Sequence, residues 1–223
     1  VSKSSFFSGT KGATLAKLKD QLTHATVLPI QIFTVEKWRK QRDQVIRTVA
    51  ETAWGTGALI IRSSAASEDS LTQSRAGEFL SVTGVVGSEN LAQAIDRVIA
   101  SYGVAQNHDE VFVQPQLSDV SLSGVVFSID PNLLSPYRVI NYEKGTGDTS
   151  AVTSGRRTQL HTVYCLQGEE SRLPEELGAV SRCLDELEAL TNNRALDIEF
   201  AVSRGRLYLF QCRPLVLPAD WQE

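Results

Sequence analysis

Apolar residues recur along this chain at two spacings, and the switches between them divide it into elements. After Gly9-Thr10-Lys11-Gly12, Leu15, Leu18 and Leu22 follow a helical period, with Lys17 and Lys19 between them. Val27–Ile30 reads as a short extended piece, and Thr34 suits the N-cap of a helix over Val35–Ala53. Ser88 is expected to cap a helix with Leu91, Ile95, Val98 and Ile99 on one face. Pro174 opens another that reaches Leu190. Shorter apolar or alternating runs predict strands at Ala58–Arg62, Phe79–Val86, Val111–Leu117, Ser123–Ile129, Arg138–Tyr142, His161–Leu166, Leu196–Val202 and Arg206–Cys212. Ser63–Gly77 and Lys144–Gly155 read as long polar loops. Hairpins occur beside crossovers, which predicts an α+β architecture and not a doubly wound parallel sheet.

The final hairpin is the most informative stretch. In Leu196-Asp197-Ile198-Glu199-Phe200-Ala201-Val202 every even position is apolar, and two odd positions are carboxylates. Period-2 alternation puts Asp197 and Glu199 on one face. Ser203-Arg204-Gly205 suits a three-residue connection, which would set Asp197 opposite Gln211 and Glu199 opposite Leu209. Tyr208, Phe210 and Cys212 would then face the core, and Gln211 and Arg213 would join the two acids. Oxygen donors on a rigid surface suit a hard cation such as Mg²⁺, and Arg213 adds a fixed cation for phosphate oxygens. The same alternation also describes the solvated face of any amphipathic hairpin.

Two further segments could meet an anion. Ser8-Gly9-Thr10-Lys11-Gly12 opens a helix, whose first N–H groups lack intrahelical partners, although it is not a P-loop sequence. Arg62-Ser63-Ser64-Ala65 follows a buried strand and leads into Glu68-Asp69 and Ser74-Arg75-Ala76-Gly77, a Ser- and Gly-rich stretch suited to covering phosphates. Gln114-Pro115-Gln116 ends a β-rich run and could offer backbone groups to a purine edge.

Composition narrows the field. The 223 residues are 42% apolar and 22% charged, as in an ordinary globular domain. A net charge of −4 demotes duplex nucleic-acid binding, and no apolar run approaches the roughly 20 residues that span a bilayer. Three cysteines, Cys165, Cys183 and Cys212, without C-x-x-C spacing support neither a disulfide framework nor a zinc site, and fit a cytoplasmic setting. Val1–Phe7 lacks the pattern of a signal peptide. Methionine is absent even at position 1, so a trimmed chain, a domain cut from a longer polypeptide or a start not included here is expected. No H-E-x-x-H, G-x-S-x-G or G-x-G-x-x-G pattern occurs, and His24, His108 and His161 read as surface or structural residues.

In order along the chain, these pieces resemble the nucleotide-binding domain of the phosphoenolpyruvate synthase and pyruvate phosphate dikinase family. Gly9-Thr10-Lys11-Gly12-Ala13-Thr14-Leu15 is similar to its opening segment, and Arg62-Ser63-Ser64-Ala65 with Glu68-Asp69 to its Arg-Ser-Ser-Ala signature. Ala76-Gly77 resembles the start of its glycine loop. Val113-Gln114 with Ser123-Gly124-Val125-Val126-Phe127 resembles its adenine-side strands, and Gly145-x-Gly147-Asp148 with Ser154-Gly155 its second glycine stretch. Asp197-Ile198-Glu199 with Gln211-Cys212-Arg213-Pro214 resembles its terminal hairpin. Departures include the missing Gly after Leu28-Pro29, Pro115 in place of Glu or Lys, and Asp148 in place of Glu. Around Pro136–Tyr142 and Val152–Gly155 the chain looks closer to a glutamine-kinase-like branch.

The resemblance implies an ATP-grasp-like fold of two lobes with mixed or antiparallel sheets, flanking helices and a nucleotide cleft between them. The lobes are expected at 1–105 and 106–223. It implies ATP and Mg²⁺ as cofactors. Lys11 and Arg62 would contact phosphates, Gly77 would cover them, and Gln114 and Gln116 would line the adenine. Glu199 and Gln211 would hold Mg²⁺ with Asp197 in support, while Arg213 and Arg62 would stabilise the transferring group. The phosphoryl group would pass to a histidine carrier domain, absent from this sequence, and then to a small-molecule acceptor such as pyruvate or glutamine. Products would include AMP and phosphate. A non-catalytic nucleotide-binding module and a stand-alone ATP-grasp ligase are the competing expectations.

Overall fold

The computed structural model describes residues 5–65, 80–145 and 160–216. The chain divides into two units, each with its own antiparallel sheet. One is built from Gly9–Ala16 and Leu28–Gln116, the other from the rest of the described chain. The described strand Glu110–Pro115, on the C-terminal side of the expected division at 105/106, lies inside the first unit's sheet.

The first unit contains β1 (Gln31–Thr34), α2 (Val35–Ala50), β2 (Leu59–Ser64), β3 (Ser81–Val85), α3 (Ser88–Ala100) and β4 (Glu110–Pro115); α1 (Lys11–Leu18) begins in it. The strand order is β1-β4-β2-β3. Thr34 caps α2 as expected, its Oγ1 accepting from the Lys37 N–H at 3.1 Å. The helix ends at Ala50 and is kinked at Gln41. Gly87, not Ser88, occupies the N-cap of α3, with φ at 84°. Leu59 and Ile61 of β2 and Val111 and Val113 of β4 bury one sheet face with Trp38, Val45 and Val49 of α2 and Leu91, Ile95 and Val98 of α3. Alternation sends Arg62, Ser64, Glu110 and Phe112 to the other face. β1 is a strand that the apolar pattern alone does not announce, since it sits next to a Pro-containing extended run.

The second unit contains β5 (Val120–Phe127), β6 (Tyr137–Lys144), β7 (His161–Leu166), α4 (Glu175–Thr191), β8 (Leu196–Ser203) and β9 (Arg206–Pro214), with sheet order β7-β6-β5-β8-β9. Leu177, Val180, Cys183, Leu184 and Leu187 of α4 are fully buried, as are Leu196, Ile198 and Ile140 of the sheet. Arg138 of β6 reaches α4, donating to the Ser181 hydroxyl and pairing with Asp185. α4 therefore covers the face of the even-numbered β6 and β8 residues. The strand edge at β9 is extended by Thr26, whose N–H donates to Leu207 O and whose carbonyl accepts from Leu209 N. Leu22 lies beyond α1, in a turn that closes on Leu18 O.

The terminal hairpin forms with a corrected register. Ser203 pairs with Arg206, so the connection is the two residues Arg204 and Gly205, with φ of 49° and 73°. Two successive positive φ values are the requirement of a type I′ turn, whose twist matches the strands. A bulge then inserts at Phe210: Phe200 pairs with Leu209, but Glu199 pairs with Gln211 and Asp197 with Arg213. Leu207, Leu209 and Cys212 are consequently the buried apolar residues of β9, and Tyr208 and Phe210 are only half-buried. The bulge restores the expected face for Gln211 and Arg213.

Candidate functional site: a lysine-bearing helix start and an acidic hairpin

In the first unit, the sheet face opposite α2 and α3 carries Arg62, Phe112 and Ile32 in register across β2, β4 and β1. The start of α1 lies against it. A Cβ on Gly12 would meet Phe112 and Ser64 at 3.2 Å and Ile32 at 3.3 Å, so glycine lets the helix approach closely. The backbone of the Lys11–Gly12 turn is thus brought to the sheet face that carries Arg62. Arg62 is buried at 5% exposure, its guanidinium 6.0 Å from the Phe112 ring centroid.

The helix start is not an open amide nest. Gly12 N–H donates to Ser64 Oγ at 2.9 Å, and Ala13 N–H to Thr10 Oγ1 at 3.2 Å. Protein oxygens hold these amides, which corrects the expectation that they are free for an anion.

Gln114 lies near the end of β4 and Gln116 just beyond it, in the same unit. Gln114 is fully buried; its Nε2 donates to Leu28 O at 3.3 Å, and its Oε1 has no hydrogen-bond partner among the described residues. Gln116 Oε1 accepts from Gly84 N–H at 2.5 Å, and its own N–H donates to Ala58 O. The Gln116 side chain thus holds β3, whereas the Gln114 amide keeps one oxygen without a hydrogen-bond partner among the described residues. Gly77 lies outside the described residues.

In the second unit, the face away from α4 carries Asp197, Glu199, Gln211 and Arg213 together. Asp197 Oδ2 accepts from Arg213 Nε at 2.8 Å, and the second guanidinium nitrogen sits 2.7 Å from the same oxygen. Glu199 faces Gln211 directly across the strand pair, and Gln211 is 3% exposed. Register continues this face onto β5 and β6: Glu199 aligns with Val125 and then Asn141, whose Oδ1 accepts from Thr162 Oγ1 at 2.7 Å. Ser123 and Glu143 pair on the same face, both buried; the Ser123 hydroxyl oxygen and one Glu143 carboxylate oxygen lack partners among the described residues. Among the described residues no group of three or more His, Cys, Asp or Glu side chains could hold a metal ion. The Glu199 carboxylate and the Gln211 amide, on register partners of one face, supply hard oxygen donors. That set fits Mg²⁺, which keeps water and takes most of its shell from substrate phosphates.

Glu110 and Glu143 carry no sequence signal of a site, and Ser123 carries one only as the start of the Ser123–Phe127 run. Thr10 and Ser64 carry one only as parts of the Gly-Thr-Lys-Gly and Arg-Ser-Ser runs.

These features agree with relationships to known proteins. Residues 9–108 match the family model of the pyruvate phosphate dikinase AMP/ATP-binding domain, and over that segment the chain carries the sequence pattern of this nucleotide-binding family. A curated relative, the prodigiosin synthesizing transferase PigC of Serratia marcescens, is 26% identical over 79% of this chain. The chain spans a quarter of that protein's length. Among solved structures, the VanG D-Ala:D-Ser ligase of Enterococcus faecalis aligns with 92% of this chain and 52% of its own, at 13% identity and a TM-score of 0.52. An acetyl-coenzyme A synthetase of Ca. Korarchaeum cryptofilum aligns over 93% of both chains, at 9% identity and a TM-score of 0.52. At these identities the likeness establishes the fold, which is α+β and ATP-grasp-like. No helix among the described residues is long and apolar enough to cross a membrane.

Proposed function

We propose that this chain is the Mg-ATP-binding part of a dikinase-type phosphotransferase. It would pass a phosphoryl group to a histidine carrier domain outside this sequence, and the carrier would deliver it to a small-molecule acceptor of the pyruvate or glutamine kind. The observation that carries this reading is the packing of the Lys11–Gly12 turn on the sheet face that bears Arg62, within the segment that matches the AMP/ATP-binding family model.

In this reading Lys11 and Arg62 bind the triphosphate, residues around Gly77 cover it, and the β4 backbone near Gln114 and Gln116 lines the base. Glu199 and Gln211 would hold Mg²⁺, which neutralises charge on the phosphate oxygens when bound. Asp197 fixes the guanidinium of Arg213, which is thereby pre-aimed at charge developing on the transferring group. Catalysis of this kind is positioning plus electrostatics, with little covalent work for the protein itself. The setting is proposed to be cytoplasmic, because the cysteines are free and buried.

Calorimetry with Mg-ATP tests the reading: binding in the millimolar range or tighter is expected, with Lys11→Ala and Arg62→Ala each weakening it. Absence of heat at millimolar nucleotide overturns it. The ligase neighbours favour a second reading, a stand-alone ATP-grasp ligase forming an acyl phosphate. The nucleotide product separates the two, since a dikinase releases AMP and such a ligase ADP. A non-catalytic module would bind ATP and leave a supplied carrier domain unphosphorylated.

A further inference from the structure

The first unit holds a ring of hydrogen bonds behind Lys11 that the nucleotide reading does not use. Gly12 N–H donates to Ser64 Oγ. Ser64 N–H donates to the Tyr102 hydroxyl at 3.2 Å, and that hydroxyl donates to the Glu110 carbonyl at 2.6 Å. The Glu110 carboxylate accepts from Thr10 Oγ1, and Thr10 Oγ1 accepts from Ala13 N–H. Ser64 and Glu110 are register partners at the end of the β2–β4 ladder. The Tyr102 oxygen inserts between the backbone groups that such a pair ordinarily joins directly.

The ring ties three elements at one point. Thr10 caps the third helical amide of α1 from its own chain, and Ser64 caps the second from across the sheet. Ser64 is two residues beyond Arg62 on the same strand, so its side chain leaves the same face. It is fully buried, and Gly12 offers no Cβ to hold the helix off. A Lys side chain has four rotatable carbons, but its reach is set by where its Cα is fixed. The Gly12–Ser64 hydrogen bond fastens the Lys11–Gly12 turn directly to the strand that carries Arg62.

We propose that Ser64 and Glu110 are positioning residues, which hold the Lys11 turn at a fixed distance from Arg62 so that the two cations engage one polyphosphate. This rests on the nucleotide reading above. The ring orders the pair before the ligand arrives, and the gain appears in affinity for the polyphosphate and not for the nucleoside.

The test uses the present chain with Ser64→Ala, Ser64→Thr, Glu110→Ala and Lys11→Ala. Amide exchange at Gly12, followed by NMR, reads the bond directly, and titrations with Mg-ATP and with adenosine read its consequence. Ser64→Ala is expected to speed Gly12 exchange and to weaken ATP binding about tenfold, as the loss of one buried hydrogen bond implies. Adenosine affinity is expected to hold, and Ser64→Thr, which keeps the oxygen, to restore both. Added to Lys11→Ala, Ser64→Ala should cost less than about twofold more, because it acts through that lysine. If Ser64→Ala does not fold, Glu110→Ala releases Thr10 and is expected to lower ATP affinity while sparing adenosine. Unchanged Gly12 exchange, equal losses for ATP and adenosine, or full additivity with Lys11→Ala overturns the positioning role. Lys11→Ala with wild-type ATP affinity overturns instead the nucleotide reading on which it stands.

Discussion

Asp197 and Arg213 stand directly opposite each other across β8 and β9, and one carboxylate oxygen takes both guanidinium contacts, at 2.8 and 2.7 Å. The side chain of Asp197 is 7% exposed and that of Arg213 is 21%. Removing the carboxylate leaves a mostly desolvated guanidinium without that partner, which is the costly way to break an ion pair. Asp197→Ala is expected to lower stability by about 2–3 kcal/mol, below the full buried-pair value because Arg213 keeps some contact with water. Urea unfolding at two salt concentrations checks this. A loss that disappears in high salt would mean the pair behaves as an exposed one.

Gly124 faces Tyr142 of β6 and Phe200 of β8 across the centre of the second sheet. A Cβ there would lie 2.1 Å from Asn141 O and 2.8 Å from Tyr142 Cα, and backbone does not yield as a flexible side-chain end does. Tyr142 also stacks on His161, with ring centroids 5.3 Å apart. Gly124→Ala is therefore expected to cost about 3 kcal/mol or more, since it must part β5 from β6. Denaturant midpoints measure it, and a variant as stable as the wild type would show that the strands separate easily.

Much of this architecture was legible in the sequence because it rests on periodicity. The alternation of Leu196–Val202 separates the two faces of β8, with Leu196, Ile198 and Phe200 on the side of α4 and Asp197 and Glu199 on the other as expected, although Asp197 and Ala201 are buried too. What alternation does not carry is register. Whether the connection has two residues or three depends on Arg204 accepting a left-handed backbone, and the bulge at Phe210 is a packing outcome of the neighbouring strands. The Lys11 and Arg62 segments were likewise visible as Gly- and Ser-rich runs at element ends. Their mutual arrangement depended on contacts 52 and 100 residues apart in sequence, from Gly12 to Ser64 and from Thr10 to Glu110, which no local pattern announces.

Glu188 on α4 is pushed up to about 7 by burial, against the pull of Arg138. One of its oxygens is buried without a hydrogen-bond partner among the described residues. The folded chain thus binds this proton more tightly than the unfolded one, whose carboxyl titrates near 4.5. Between about 4.5 and 7 the folded state holds more protons, so this group makes stability fall as pH rises through that window and adds nothing further above it. Such a shift corresponds to about 3 kcal/mol at full strength, reduced to about 1–2 kcal/mol by the partial exposure of the side chain. Glu188→Gln removes the penalty. The variant is expected to gain that amount over the wild type at pH 8 and almost nothing at pH 4, as read by denaturant unfolding at both. An equal gain at the two pH values would trace the effect to packing and not to the proton.

Glu199 and Gln211 differ in what they can give a cation: the first a charge, the second a neutral oxygen. If they hold Mg²⁺ between themselves and the phosphates, the charge supplies most of the attraction, and the amide fixes direction. Glu199→Gln keeps the shape and hydrogen-bonding capacity of the side chain while deleting its charge. It is expected to weaken Mg-ATP binding by about tenfold or more and to leave ATP binding in excess chelator unchanged or slightly tighter, since a negative charge near the triphosphate is gone. Gln211→Glu is the converse, and should tighten Mg-ATP while weakening metal-free ATP. The four titrations form a closed comparison in which the metal is the only variable. A Glu199→Gln chain that loses affinity equally with and without Mg²⁺ would place this carboxylate in the scaffold of the hairpin and the cation elsewhere.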